Sequence, residues 1–116
     1  MSTYMKTREI VVPTSHEAML RLDYDMSEDN DLISYSLNDK EYTDLEKIEF
    51  FDKLNIALGL MIDDYEDEEI LEEKLDLLEL FMNNFMQQHP DHPILSDLNN
   101  VFKLAYIKKT GVFFFF

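Results

Sequence analysis

The chain has no cysteine, which removes disulfides, thiolate zinc sites and cysteine nucleophiles together. Glycine stands only at positions 59 and 111, so no phosphate-cradling loop of the GxGxxG or P-loop type can be written. No window approaches the roughly 18 consecutive apolar residues of a membrane-spanning helix. The opening MSTYMKTREIVV has a lysine and an arginine but no apolar stretch behind them of the kind a secretory signal carries. A cytoplasmic location without membrane contact is the expectation. Positive charge is scarce as well: 10 Lys and Arg stand against 25 Asp and Glu, a formal charge of −15.

Against that charge stand 46% hydrophobic residues, nine phenylalanines and six tyrosines, too much apolar material for a disordered chain. A chain of 116 residues suits one compact domain over 1–116, burying roughly two-thirds of the surface its unfolded form exposes.

The first 42 residues read as strands. In AMLRLDYDM, Ala18, Leu20, Leu22, Tyr24 and Met26 alternate with Met19, Arg21, Asp23 and Asp25, the period of a half-buried strand. REIVV before Pro13 and the alternating LISYSL supply two more, giving strands at about 7–12, 18–26 and 32–37. The polar SEDND segment makes a hairpin of the last two.

Beyond residue 42 the period is helical. Thr43 and Glu46 have capping-box spacing, and Leu45, Ile48, Phe51, Leu54, Leu58 and Met61 recur at three and four, predicting a helix over about 44–58 that ends near Gly59. Ile70, Leu71, Leu75, Leu78, Phe81, Met82, Phe85 and Met86 predict a second over about 67–88, closed by Pro90, with its methionines in the core. Ile94, Leu98, Val101, Phe102, Ala105 and Tyr106 predict a third over about 92–109, capped by Asp91 with Pro93 in its first turn. The terminal VFFFF then reads as a strand at 112–116 added to the N-terminal sheet. If it lay at a sheet edge it could instead pair across a two-fold axis and make a homodimer. The predicted fold class is α+β, a small antiparallel sheet packed against about three helices.

The segment DDYEDEEILEEKLD, residues 63–76, holds nine acidic side chains and one lysine. On a helix over 67–88, Glu69, Glu72, Glu73, Asp76 and Glu79 would form one stripe opposite the apolar face. Residues 41–79 carry 15 acidic and 3 basic side chains, net −12, whereas residues 80–116 carry two against three, net +1. A face built only for solubility normally mixes signs, although an ordinary solvated face is the plain alternative.

Other chemistry is poorly represented. DYDMSEDNDLIS has Asp23 and Asp25 at the first and third positions of a calcium loop, but Glu28 replaces the required glycine and Ser34 the final glutamate. His89 and His92 flank Pro90 without a partner set for a metal. The acidic runs lack the desolvated pocket that a catalytic acid needs, so neither an enzyme nor a cofactor is expected.

A concentrated negative field attracts cationic surfaces and repels phosphates. The expected partner is therefore a basic protein, a nuclease or nucleic-acid-binding enzyme, with no direct nucleic-acid contact. In size, acidity and lack of catalytic motifs the chain is similar to stoichiometric inhibitors that mask such a surface: toxin immunity proteins, or phage anti-defence proteins that act as DNA mimics. No family-defining motif is present, and no residue is assigned by analogy. The carboxylates expected to meet the partner are Asp63, Asp64, Glu66, Asp67, Glu68, Glu69, Glu72, Glu73, Asp76 and Glu79. The alternative is a non-catalytic structural or regulatory adaptor binding through an apolar patch around Phe113–Phe116, dimeric if that strand is an edge.

Overall fold

The computed structural model describes residues 6–116. Elements run in the order β1 (Arg8–Pro13), α1 (His16–Asp23), β2 (Leu32–Leu37), α2 (Asp39–Lys47), α3 (Phe50–Leu58), β3 (Asp67–Leu71), a 3₁₀ turn (Glu72–Lys74), α4 (Leu75–Gln88), α5 (Pro93–Lys108) and β4 (Gly111–Phe115). The fold is α+β: the described residues form a four-stranded antiparallel sheet of order β2-β1-β4-β3 with five helices. No helix among the described residues is long and apolar enough to cross a membrane.

Strand alternation decides what each sheet face meets. Ile10, Val12, Leu37, Ile70, Val112 and Phe114 point to one face, where they join Tyr42, Leu45, Phe50, Leu54, Leu78, Met82, Leu95, Leu98 and Phe102 of α2–α5 in the main core. Val11 and Phe113 point to the other face, the side on which α1 buries Ala18. β4 lies between β1 and β3, hydrogen-bonded on both sides. The C-terminal strand is thus internal, and the edge through which it would have dimerised is occupied.

Three expected elements differ. Residues 18–26 are not a strand: His16–Asp23 is a helix, started by the Ser15 hydroxyl accepting the Ala18 N–H at 3.0 Å. The alternating reading would have buried Leu20, Tyr24 and Met26, which are exposed, whereas a helical turn buries Ala18 and half-buries Leu22. β2 pairs with β1 instead of forming the expected hairpin.

The helix expected over 44–58 is two. The capping box is Asn38 with Glu41, not Thr43 with Glu46, and the chain turns at Glu49, which sits in the left-handed region at φ 59° before α3. A side chain there is strained by about 1–2 kcal/mol. Glu49→Gly is therefore expected to stabilise the fold by about 0.5–1 kcal/mol after glycine's extra unfolded-state entropy. A thermal melt should show a rise of a few degrees; no rise or a fall would contradict the strain. Loss of the 4.0 Å contact between Glu49 and Lys53, both well exposed, should cost almost nothing.

The helix expected over 67–88 begins only at Leu75. Asp67–Leu71 pairs with Phe115–Gly111 as a strand. The short DEEIL run buries Ile70 as a strand residue, so tertiary pairing with an apolar strand overrides the helical spacing of the flanking sequence. The third helix stands nearly as expected, with Pro93 in its first turn, but its N-cap is His92 rather than Asp91 and makes no side-chain capping bond. Gly59 ends α3 in the left-handed conformation, as its position suggested.

Candidate functional site

A cleft of about 600 Å³ opens between the α2–α3 corner and the loop that leads into β3. Its floor is apolar and aromatic, made by the buried Tyr42, Phe51, Leu60 and Ile62. Tyr42 stacks on Phe51 with ring centroids 5.3 Å apart, and Phe116 meets both rings edge-on. The walls carry seven carboxylates: Glu46, Glu49 and Asp52 on the helical side, Asp63, Glu66, Asp67 and Glu68 on the loop and strand side. Among the described residues no lysine, arginine or histidine lines the cleft.

Hydrogen bonds hold the loop wall in place. The Asn55 amide donates to the Ile62 carbonyl at 3.0 Å while its oxygen accepts the Ile62 N–H at 2.8 Å. Glu68 accepts the N–H of Met61 at 2.8 Å through one oxygen and that of Glu69 at 2.9 Å through the other. Below the loop, the Arg8 guanidinium grips Asp64 with two bonds of 2.6 and 2.9 Å, donates to Asp39 at 2.8 Å and lies 3.9 Å over the Tyr42 ring. Lys6 adds a 3.3 Å contact to Asp64 and covers the ring of Tyr65. Hydrogen bonding to Arg8 holds the Asp64 carboxyl below the usual carboxylate range. The Tyr42 phenol is pushed up to about 12, by burial first and then by the charges of Asp64, Glu46 and Asp63, so it stays neutral beneath the cleft.

The ten carboxylates expected to act together are divided by this geometry. Asp63, Glu66, Asp67 and Glu68 line the cleft. Asp64 is committed to Arg8 and Lys6. Glu69 points to the opposite sheet face, into a shallow depression with Leu22, Asp23, Phe113 and Phe115. Its carboxyl is raised by burial, then by the charges of Asp23, Glu68 and Glu73. Glu73 is exposed in the 3₁₀ turn. Glu72 and Asp76 lie beside Tyr106 and Lys109, and Glu79 lies in the α4–α5 groove with Lys103. No single helical stripe exists, because residues 67–71 are extended.

Comparison with protein-family models, curated proteins and solved structures finds no match to this chain. Glu46, Glu49 and Asp52 were not among the expected partner-binding residues, although their three-residue spacing and the net charge of residues 41–79 carried the signal. Among the described residues no group of three or more His, Asp or Glu is placed to hold a metal ion. What the cleft offers is a volume in the range that takes a small ligand or a few side chains, uniformly negative at the rim and apolar at the base. Arginine and lysine side chains match both properties, through charged heads and aliphatic stems.

Proposed function

We propose that the protein is a non-catalytic, stoichiometric inhibitor acting in the cytoplasm, which masks a basic surface of a nuclease or other nucleic-acid-handling enzyme. The observation that carries this reading is the cleft with seven wall carboxylates and, among the described residues, no lining cation. Such a site concentrates negative potential over a low-dielectric floor, which accelerates encounter with a cationic surface and competes with a phosphate backbone for it. An immunity protein and a phage anti-defence protein would use it in the same way.

The test compares two sets of charge reversals. Lysine at Glu46, Asp52, Glu66 and Asp67 should reduce affinity for the captured partner by about two orders of magnitude, about 2.7 kcal/mol. Lysine at Glu72, Asp76 and Glu79 should leave it nearly unchanged. The partner is captured on immobilised wild-type protein from lysate of the source cell and identified by mass spectrometry under low- and high-salt washes. Inhibition of its nucleic-acid cleavage is then titrated. A partner that tolerates the cleft reversals, or is indifferent to salt, would sink the proposal.

A second reading rests on a separate observation. Leu77 and Leu80, 49% and 58% exposed, flank an open groove with Ala57 and Phe81 between α3 and α4. An adaptor binding there would show capture that is insensitive to salt and to the cleft reversals.

A further inference from the structure

Among the described residues the sheet has two edges, β2 and β3, and they are built in opposite ways. β3 presents Asp67, Glu68 and Glu69, and the Glu68 carboxylate accepts the Glu69 N–H, a backbone donor of that strand. Charged side chains are one device by which natural sheets prevent strand pairing at an edge, and the occupied Glu69 donor leaves an added strand one hydrogen bond fewer to make. β2, LISYSL, has neither a charge nor a proline.

The register shows which backbone groups β2 leaves free. Thr14 donates to the Asp31 carbonyl at 2.8 Å, and antiparallel bonding alternates along the strand, so Ile33, Tyr35 and Leu37 face β1. The N–H and C=O groups of Leu32, Ser34 and Ser36 then point away from the sheet. Among the described residues none of these six groups has a backbone partner outside the sheet ladder.

We infer that the free edge of β2 pairs with β2 of a second copy, antiparallel about a two-fold axis at Ser34, joining two four-stranded sheets into one. This register places Ser34 opposite Ser34 and Leu32 opposite Ser36. All three outward residues of each copy then donate and accept, so the seam is self-complementary as a two-fold interface requires. Ile33 faces Tyr35 of the second copy, a β-branched side chain against an aromatic one, a favourable cross-strand pair. Charge also selects this edge. Two chains of −15 meet where the strand carries no charge, and the acidic β3 strands lie seven strand spacings apart, about 34 Å. That is several screening lengths in physiological salt. This edge shares no residue with the acidic cleft.

Sedimentation of the full chain from about 1 μM to about 500 μM should show the mass rising from 13.8 kDa toward twice that value. Ser34→Pro removes an outward N–H while leaving the β1 ladder intact, and Ser36→Lys places charge on the seam; each should abolish the rise. If the proline variant does not fold, the lysine variant decides. The absence of cysteine permits a positive test: mild oxidation should convert the Ser34→Cys chain, but not the Ser96→Cys chain with its exposed site on α5, into a reducible covalent dimer. A mass of 13.8 kDa throughout, association that survives Ser36→Lys, or equal cross-linking of the two cysteine variants would overturn it.

Discussion

Truncation after Gly111 is expected to abolish folding at every concentration. Among the described residues β4 is the sole strand partner of β3 and the second partner of β1, so its loss opens the middle of the sheet. The truncation also removes Val112, Phe113, Phe114 and Phe116, each no more than 6% exposed. At about 2–3 kcal/mol for each buried large side chain, the lost burial is about 8–12 kcal/mol, comparable with the whole stability of a domain. The damage reaches the cleft, since Phe116 packs against Tyr42 and Phe51 in its floor and Phe114 joins Phe116 to Phe102. Far-ultraviolet circular dichroism and amide chemical-shift dispersion would report the collapse. A truncated chain that folds as a monomer would contradict the central placement of this strand.

Arg8→Leu is expected to destabilise the protein by about 2–4 kcal/mol, lowering the melting temperature by about 10 °C. The arginine side chain is 8% exposed and neutralises Asp64 and Asp39 from within the negative half of the molecule. Removing one partner of a buried pair costs about 3–5 kcal/mol, reduced here because Asp39 and Asp64 are 61% and 30% exposed and Lys6 remains beside Asp64. The pH dependence identifies the cause. Because Asp64 titrates below its unfolded value of 3.8, the pair's contribution is complete above that pH and is lost as pH falls through the folded value. The difference in melting temperature between wild type and Arg8→Leu should accordingly shrink below about pH 4. A difference constant down to pH 2 would point to lost packing over Tyr42 instead.

Sequence periodicity identifies the elements whose local and tertiary preferences agree. β1, β2 and β4 are short apolar or alternating runs, and α5 keeps its period over four turns with proline at its start. It fails where a pattern fits two periods. Ala18, Leu20 and Leu22 alternate like a strand, while Ala18 and Leu22 also lie one helical turn apart, and the Ser15 cap settles the choice. Residues 67–71 are too few to show a period, and their state depends on β4, about 40 residues away in sequence. The left-handed turn at Glu49 has no glycine to mark it, so one helix was expected where there are two.

The candidate site was legible as composition but not as shape. The excess of acid in residues 41–79 is plain from counting, and four of the ten expected carboxylates line the cleft. The opposite wall, Glu46, Glu49 and Asp52, comes from a chain segment that meets the loop only after the two helices turn at Glu49. Conversely, Asp64 reads like its acidic neighbours until Arg8, 56 residues away, is brought to it.

The pairing of β1 with β4 has a consequence for biosynthesis. The Thr110 hydroxyl donates to the Pro13 carbonyl across 97 residues of sequence. At about 5–20 residues per second, the ribosome therefore needs roughly 5–20 s after making β1 before it has made the strand that fills β1's other side. During that interval Ile10, Val11 and Val12 have β2 on one side but lack β4 on the other, and the sheet core cannot close. The intervening chain carries most of the acidic charge, and mutual repulsion between such nascent chains opposes their aggregation. The same carboxylates that shape the finished surface would then already be acting while the polypeptide is incomplete.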